Sequence, residues 1–441
     1  MLLDELKAVV KENGVVGAGG AGFPSYAKMT DKADIVILNC VECEPLLKLH
    51  KQLLAAYAQE IVQMLDELRK MLGAGEAVIG IKNEHVKTIG ILEEVIRDYP
   101  KVRICAVRPT YPMGDEVILI YEATGRVIKP GGIPIDENVI VYNVETMYNM
   151  YRGVHEKAPV TNKLVSIVGA VAKPVTIRIP LGATVKDAVR AAGEVTVKNP
   201  AYVMGGPMMG HLGTEHTVIT KTTNAVIVLP EEHKVVMRMK KNFDIERRRA
   251  ASSCCQCRTC TEMCPCHALG HPIEPHRIMR AVANQDTSDL SVYTNAAYCS
   301  SCGLCENYSC PQGLSPRSVI AEFKEGLRSA GIRSQKLKPV PVVEDRELKK
   351  VPVSRLKAKL GLIEYDVPAP FADMEMEASC VKILMSQHIG VPAVPSVHQG
   401  EAVKKGQKIA EAAEGLSVAI HASIDGTVEK ANDREIVIKR K

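Results

Sequence analysis

The sequence predicts a multidomain α/β protein with a cysteine-rich helical module before a β-rich C-terminal part. Its 441 residues are too many for one ordinary hydrophobic core. A hydrophobic fraction of 46% and a charged fraction of 24% are typical of a globular chain. Ten of the 14 cysteines lie in the segment from Cys254 to Cys310, and such dense clustering indicates a metal-binding segment.

The N-terminal part, residues 1–158, alternates apolar runs with helical patterns. An amphipathic helix is predicted at its start. The runs Ile35–Leu38, Ala77–Ile81 and Val102–Val107 are predicted to be buried strands, and a helix is predicted over Leu53–Leu72. This alternation is typical of an α/β domain built on a mostly parallel sheet.

The next segment, residues 159–232, has shorter β-rich runs and one helical pattern, Val185–Ala192, which predicts a small α+β domain. Seven Lys or Arg residues lie between Lys234 and Arg249, and we expect a helix there that leads into the cysteine module, residues 233–332.

Prolines dominate residues 333–370, at positions 339, 341, 352, 368 and 370, and predict a linker with one short helix. Residues 371–441 return to β patterning with glycine turns and are predicted to form a last domain.

Composition also excludes several classes of partner. The net charge of +5 is mild, and no basic stripe interleaves with aromatic residues, so we expect no nucleic-acid partner. No segment has the roughly 18 consecutive apolar residues that predict a membrane-spanning helix. The N-terminus lacks the features of a signal peptide, so a cytoplasmic location is expected.

Two cysteine runs predict two 4Fe–4S clusters. The first is Cys254, Cys257, Cys260 and Cys264, followed by Pro265; the second is Cys299, Cys302, Cys305 and Cys310, followed by Pro311. In two-cluster modules, the fourth cysteine of each run binds the other cluster. We therefore assign Cys310 to the first three thiols and Cys264 to the second three. Structural zinc sites are a weaker alternative, because they use separated pairs of cysteines.

Two further cysteines, Cys255 and Cys266, lie out of register within the first run. They are interpreted as bystanders, although Cys255 could replace Cys254 as a ligand. The gap of four residues before Cys310 is one longer than usual and could bulge the loop without removing the ligand.

A glycine-rich segment near the N-terminus predicts a phosphate-binding loop. Its members are Gly17, Gly19, Gly20, Ala21 and Gly22, and Lys28 could add a cation. Glycines allow the backbone to approach a phosphate and to direct N–H groups at it. Such a loop alone is a weak signal, because many similar segments are simple turns.

Three other segments strengthen this interpretation: 39–45 (NCVECEP), 111–116 (YPMGDE) and 143–146 (NVET). Together with residues 205–210 (GGPMMG) and 387–390 (QHIG), they resemble the flavin-binding subunit of respiratory NADH dehydrogenase. They resemble still more closely the RnfC component of the Rnf electron-transport complex and the PduS-type cobalamin reductases. The resemblance covers essentially the whole chain.

The resemblance implies a Rossmann-like domain that binds FMN and NADH. The glycine loop would hold the FMN phosphate, and seven residues would line the flavin and nicotinamide: Asn39, Glu42, Glu44, Gly114, Asp115, Glu116 and Asn143. No catalytic side chain is required, because a flavin converts two-electron into one-electron transfer. Ala18 occupies a position where the flavin-binding protein of NADH dehydrogenase usually has Arg.

The resemblance also implies a β-grasp (SLBB) second domain and a C-terminal barrel-sandwich hybrid domain. No lysine lies in the turn around Ser423–Asp425, where a carrier domain would attach its cofactor. The position of this last domain after the cysteines favours the PduS type, which implies a corrinoid or redox-protein acceptor and a possible microcompartment shell partner. The alternatives are a peripheral, NADH-oxidising member of an Rnf-type membrane complex, or an electron conduit to another reductase.

Overall fold

The computed structural model describes residues 2–338 and 340–440, so the predicted linker residue Pro339 and the two terminal residues lie outside the described residues. Within these ranges, no helix combines the length and the apolar character needed to cross a membrane.

The N-terminal domain is built on a four-stranded parallel sheet, as predicted. The strands of this sheet are β1 (Ile35–Cys40), β2 (Glu76–Lys82), β3 (Val102–Val107) and β5 (Val139–Asn143), and the short strand β4 (Thr110–Tyr111) lies outside it. Its helices are α1 (Leu3–Glu12), α2 (Leu49–Ala56), α3 (Ala58–Met71), α4 (Val86–Val95), α5 (Glu116–Thr124) and α6 (Val144–His155). The sheet order β3-β2-β1-β5 brings the carboxyl ends of β1 and β5 side by side. In parallel α/β sheets, ligands bind at this edge.

The single helix predicted over Leu53–Leu72 is wrong in one respect, because the chain forms two helices there. Tyr57 adopts φ −131° and ψ 42°, which ends α2 and begins α3. Its ring lies 4.5 Å from that of Tyr148, and its hydroxyl donates to Asp373 of the C-terminal part. These long-range contacts hold Tyr57, and the periodicity of its own segment does not show them.

The second domain contains β6 (Asn162–Gly169), β7 (Val175–Pro180), α7 (Val185–Arg190), β8 (Pro200–Met204), β9 (His211–Gly213) and β10 (Ala225–Pro230). Its sheet gains a sixth strand from Phe371–Glu375, which pairs in parallel with β7. The first strand of the predicted C-terminal segment therefore belongs to this second sheet.

The cysteine module is helical. Its helices are α8 (Lys234–Met239), α9 (Phe243–Ser253), α10 (Thr259–Glu262), α11 (Pro265–Ala268), α12 (Pro275–Asn284), α13 (Ser291–Thr294) and α14 (Pro316–Ser329). The single helix expected in the basic stretch is instead two, since Asn242 begins α9 by accepting a hydrogen bond from Asp244 N at 2.9 Å.

The predicted linker contains more structure than one helix. It holds β11 (Val351–Pro352), which pairs with β4, and α15 (Val353–Leu360). Leu356 and Leu360 of α15 are fully buried and join a core with Tyr111 and Ile227. This segment therefore packs against the first two domains.

The C-terminal part consists of β12 (Phe371–Glu375), β13 (Cys380–Leu384), β14 (Val394–Pro395), β15 (Ala402–Val403), β16 (Lys408–Glu411), β17 (Ile420–His421), β18 (Gly426–Ala431) and β19 (Glu435–Lys439). Apart from β12, these strands form a four-stranded and a three-stranded sheet. Their apolar faces share one core with the second domain.

A buried lysine joins distant parts of the chain. Lys221 is 1% exposed, and its Nζ donates to Gly14 O at 2.7 Å and to Ala419 O at 3.4 Å. Burial lowers the pKa of Lys221 to about 7. The end of α1 and the C-terminal domain are thus held against the loop that precedes β10.

Candidate functional site

Two adjoining cavities of about 820 and 520 Å³ lie at the carboxyl edge of the parallel sheet. Their shared lining is Gly19, Gly20, Ala21, Asn39 and Asn143. The larger cavity extends to the second and C-terminal domains. The predicted residues Glu42, Glu44, Gly114 and Asp115 line the larger cavity, and Gly17, Gly22, Lys28 and Glu116 line the smaller. The structure therefore brings all thirteen predicted residues to one place.

The glycine loop is narrow where it faces α6. A Cβ atom on Gly19 would lie 2.5 Å from Asn143 Nδ2, whereas one on Gly20 would meet nothing within 4 Å. Gly22 has φ +73°, a left-handed conformation that favours glycine. Ala18 N donates to Thr146 Oγ1 at 2.9 Å, which fixes the loop to α6. The loop is thus held from one side and remains open to a ligand on the other.

Asn39, Asp115 and Asn143 hold local backbone at this edge. Asn39 Nδ2 donates to Gly114 O at 2.9 Å, which joins the end of β1 to the segment before α5. Asp115 caps α5 and accepts from Val117 N at 3.0 Å. Burial raises the pKa of Asp115 to about 6. Two helix N-termini, α5 and α6, therefore lie at the cavities, where their dipoles favour anionic groups.

Glu42 lies in the wall of the larger cavity beside a histidine. His50 Nδ1 lies 3.4 Å from Glu42 Oε1, and His50 Nε2 lies 3.2 Å from Asn143 Nδ2. Burial raises the pKa of Glu42 to about 7 and lowers that of His50 to about 3. His50 is therefore neutral, and Glu42 can exchange a proton near neutral pH.

Glu44 contacts the second domain through the segment at residues 205–210. Its carboxyl group accepts hydrogen bonds from Met208 N and Met209 N, each at 2.9 Å. Burial raises the pKa of Glu44 to about 7. A Cβ on Gly206 would lie 2.1 Å from Glu44 Oε2, so glycine is required for this approach. In this structure Glu44 joins two domains at the cavity wall.

Lys28 is not a free cation in this structure. Its Nζ lies 3.3 Å from Glu116 Oε1 and 3.2 Å from Val141 O. The predicted cation and one predicted acid therefore form an ion pair in the wall of the smaller cavity, and an incoming phosphate would compete with Glu116 for Lys28.

Several residues that sequence reasoning missed also lie at this site. They include His50, Thr146, Thr222 and Lys382, from four different parts of the chain. Thr146 is the last residue of the segment 143–146, and His50 lies eight residues after Glu42, so these two had a local signal. Thr222 and Lys382 reach the cavity only through domain packing.

The first cysteine run gathers around a small cavity whose lining includes Cys254, Cys257, Cys260 and Cys310. Burial, together with the neighbouring thiols Cys310, Cys254 and Cys257, raises the pKa of Cys260 to about 12. Cys310 of the second run therefore lies with the first three thiols, which is the interleaving that two-cluster modules use.

The two runs share an unusual backbone pattern. The third and fifth residues of each run have a left-handed backbone conformation. In the first run φ is 53° at Gln256 and 63° at Arg258, and in the second it is 61° at Ser301 and 76° at Gly303. These turns direct donors to sulfur: Ser301 N lies 3.3 Å from Cys299 Sγ. A cluster needs such donors, because its thiolates carry negative charge.

Cys264 lies near the second run. The thiol of Cys266 raises the pKa of Cys264 most, followed by burial and by Cys302. Cys266, interpreted as a bystander, is 6% exposed and belongs to the same core as Cys264 and Cys299. In the described part of the chain, no three His, Cys, Asp or Glu side chains converge as ligands of one metal ion. A cubane instead takes each thiolate on a separate iron.

The two runs differ in exposure. Cys255 and Cys257 of the first run are exposed and Cys260 is buried, whereas Cys302 and Cys305 of the second run are both buried, at 8% and 9% exposure. Tyr111 Oη donates to Cys302 O at 2.6 Å, and the next residue, Pro112, lines the larger cavity. The second run therefore lies towards the cavity, and the first lies towards solvent.

Comparison with known families gives matches along most of the chain. The Nuo51 FMN-binding domain family matches residues 10–152, the SLBB domain family 164–211, the 4Fe-4S dicluster domain family 253–315 and the RnfC barrel sandwich hybrid domain family 368–441. Together with the open glycine loop and the two groups of thiols, these matches define a flavin and iron–sulfur electron-transfer oxidoreductase.

Similar proteins identify the family. Cobalamin reductase PduS of Citrobacter freundii is 36% identical, and the match covers 98% of this chain and 95% of the relative. The protein of the same name from Salmonella typhimurium is 38% identical, with coverage of 99% and 97%. The chain belongs to the PduS cobalamin reductase family.

Two more distant similarities are also found. The C component of the proton-translocating ferredoxin:NAD(+) oxidoreductase complex of Clostridium ljungdahlii is 30% identical, and the match covers 60% of this chain and 56% of the relative. A chain in the crystal structure of an NAD+-reducing NiFe-hydrogenase in the H2-reduced state is 19% identical with a TM-score of 0.49, and the match covers 81% of this chain and 66% of that one.

Proposed function

We propose that this protein oxidises NADH and passes the electrons through a bound FMN and two 4Fe–4S clusters to a corrinoid or redox-protein acceptor. The observation that carries this proposal is the hydrogen bond from Tyr111 to Cys302 of the second cysteine run, because Tyr111 directly precedes Pro112, which lines the larger cavity. Electron transfer between two centres requires them to be close, and this bond links the segment at the cavity to the second run.

The glycine loop, Gly17 to Gly22, would hold the FMN phosphate, with Lys28 released from Glu116 as the cation. Asn39, Gly114, Asp115 and Asn143 would line the flavin, and Glu42 and Glu44 the nicotinamide side. When bound, FMN accepts two electrons from NADH and gives them up one at a time, which the clusters require. The chain itself supplies orientation, exclusion of water and hydrogen bonds to sulfur.

The exposure of the two runs suggests the order of transfer. The cluster of Cys299, Cys302, Cys305 and Cys264 would receive electrons first, because Cys302 accepts a hydrogen bond from Tyr111, the neighbour of the cavity residue Pro112. The cluster of Cys254, Cys257, Cys260 and Cys310 would deliver them, because Cys257 is exposed. The acceptor would dock near Cys257.

The names of the relatives suggest a corrinoid as the final acceptor. The location that we infer is the cytoplasm, with the interior of a bacterial microcompartment as a candidate site within it. Anaerobic titration with NADH, followed by visible and EPR spectra, tests the proposal. We expect bleaching of the flavin, then two cluster signals, then reduction of added cob(III)alamin. A flavin that NADH does not bleach would contradict it. Cluster reduction without cobalamin reduction would favour an electron conduit to another reductase.

A peripheral NADH-oxidising role in an Rnf-type membrane complex is the second candidate. The similarity to the C component of the Clostridium ljungdahlii complex favours it. The barrel-sandwich domain at 368–441, after the clusters, favours the PduS type instead. Co-purification with membrane proteins from the native cell distinguishes the two.

A further inference from the structure

The imidazole of His50 lies between two residues of the larger cavity, Glu42 and Asn143. His50 is 6% exposed and Glu42 is 9% exposed, and both line the larger cavity with Asn143. Within the described residues, Glu42 Oε1 is buried without a hydrogen-bond partner, and His50 Nδ1 is 3.4 Å from it. Glu42 Oε1 is therefore an acceptor that faces the Nδ1 atom of His50.

The position of the proton on His50 follows from the cap of α6. Asn143 Oδ1 accepts from Glu145 N at 2.9 Å, so the amide is oriented with its NH2 group towards His50. Asn143 Nδ2 can then donate to His50 Nε2, 3.2 Å away, only if Nε2 carries no proton. A neutral imidazole therefore has its proton on Nδ1, where it faces Glu42.

Charged groups around this network act on Glu42 from several elements. Lys82 of β2, Lys51 of α2 and Lys163 of β6 all favour the ionised carboxylate, whereas burial opposes it. Lys163 forms a buried ion pair with Glu145 and also disfavours a charged His50. The thiol of Cys40 is also close to Glu42. Among these groups, His50 is the one that contacts both Glu42 and Asn143.

We propose that His50 is a positioning residue that holds the Glu42 carboxyl group and the Asn143 amide in the cavity wall, so that the Glu42 carboxylate takes up a proton of its own when the flavin is reduced. This inference rests on the proposed function. Oxidation of NADH consumes one proton, NADH + H+ + FMN → NAD+ + FMNH2, and later loss of two electrons to the clusters returns two protons. The proton on Glu42 is additional to these: Glu42 takes it up from solvent on flavin reduction and releases it when the flavin is reoxidised.

The test is the pH dependence of the flavin midpoint potential in the holoenzyme. If Glu42 takes up a proton on reduction, the midpoint potential falls more steeply with pH above the pKa of Glu42 in the oxidised enzyme. The plot of midpoint potential against pH then changes slope near pH 7 in the wild type, and this change of slope is called the break. His50→Gln loses the Nδ1 donor but retains an amide towards Asn143, and its break should move upward by about one pH unit. His50→Asn keeps a donor towards Glu42 and should remain close to wild type.

His155→Gln is the matched control, because His155 forms a surface contact of 3.0 Å with Glu67. Its break should not move. If the His50→Gln enzyme binds flavin, is reduced by NADH and has its break at the same pH as the wild type, the inference is overturned but the proposed function stands. Absence of flavin from the wild type would instead contradict the proposed function.

A measurement on the wild type covers the case in which His50→Gln does not fold. Infrared difference spectra of flavin reduction above pH 7 should show a carboxylic acid band that Glu42→Gln removes. The absence of that band in the wild type would also overturn the inference.

Discussion

Tyr111 and Cys302 are 191 positions apart in sequence, yet the phenol of one donates a 2.6 Å hydrogen bond to the carbonyl of the other. Tyr111 is 3% exposed, so water does not replace this bond. It links Cys302, a predicted cluster ligand, to the residue that precedes Pro112 of the larger cavity, and the first prediction concerns it.

Tyr111→Phe should slow electron transfer from flavin to clusters about five-fold or more. It removes one buried hydrogen bond and leaves the Cys302 carbonyl unsatisfied, at a cost of about 1–3 kcal/mol. Stopped-flow reduction under anaerobic conditions measures the rate. Tyr99→Phe removes a surface contact with Gln59 and should have no effect. Equal rates in Tyr111→Phe and wild type would show that the contact is structural only.

Gly19→Ala should destabilise the flavin-free protein by about 1–3 kcal/mol, since the new Cβ would lie 2.5 Å from Asn143 Nδ2. Gly20→Ala is the matched variant, because its Cβ would meet nothing within 4 Å. It should leave the stability of the flavin-free protein unchanged. Urea unfolding measures both. If Gly20→Ala weakens FMN binding at unchanged stability, the flavin approaches Gly20 directly; equal stability losses would contradict the described loop.

The two clusters should be separable by single substitutions. Cys310→Ser should remove the solvent-side cluster and Cys264→Ser the cavity-side cluster, each leaving about four irons per chain. Only the Cys264→Ser protein should lose flavin-driven reduction of the remaining cluster. Cys255→Ser, at an exposed thiol, should keep both clusters. Iron analysis and EPR spectra report the outcome, and loss of a cluster in Cys255→Ser would make Cys255 the ligand instead of Cys254.

Lys221→Met should lower the unfolding free energy by about 1–3 kcal/mol, because two buried carbonyls lose their donor. The pKa of Lys221 is about 7 in the folded chain against a reference of 10.5, so the unfolded chain binds more protons between these values. Stability from this residue therefore increases as pH rises from about 7 to 10.5.

Lys408→Met tests the specificity of that effect. Lys408 also joins α1 to the C-terminal domain, through a 2.7 Å ion pair with Glu12, but this pair is partly exposed. Its removal should cost at most about 1 kcal/mol. Thermal unfolding at several pH values compares the two variants, and an equal loss in both would indicate that burial of Lys221 is unimportant.

Sequence reasoning found what is local. Predicted ligands such as Cys254, Cys257 and Cys260 lie within seven residues, and the glycine loop spans six, so their spacing in the sequence is enough to predict that they lie together. The parallel sheet followed from the alternation of apolar runs. The contacts of His50, Lys221 and Tyr111 span up to 207 positions and depend on how the domains pack. No pattern within one segment records such contacts, and the break at Tyr57 has the same origin.

The parallel strand β12 has a consequence for mobility. It completes the second sheet beside β7, while the strands that follow it form the barrel-sandwich domain. A domain that swings needs a flexible segment at its start. Here the segment that leads into the last domain is β12, which is hydrogen-bonded to β7 of the second sheet. The last domain is therefore held against its neighbour from its first strand onward, and a protein shortened at residue 370 would expose the edge of the second sheet, which favours aggregation.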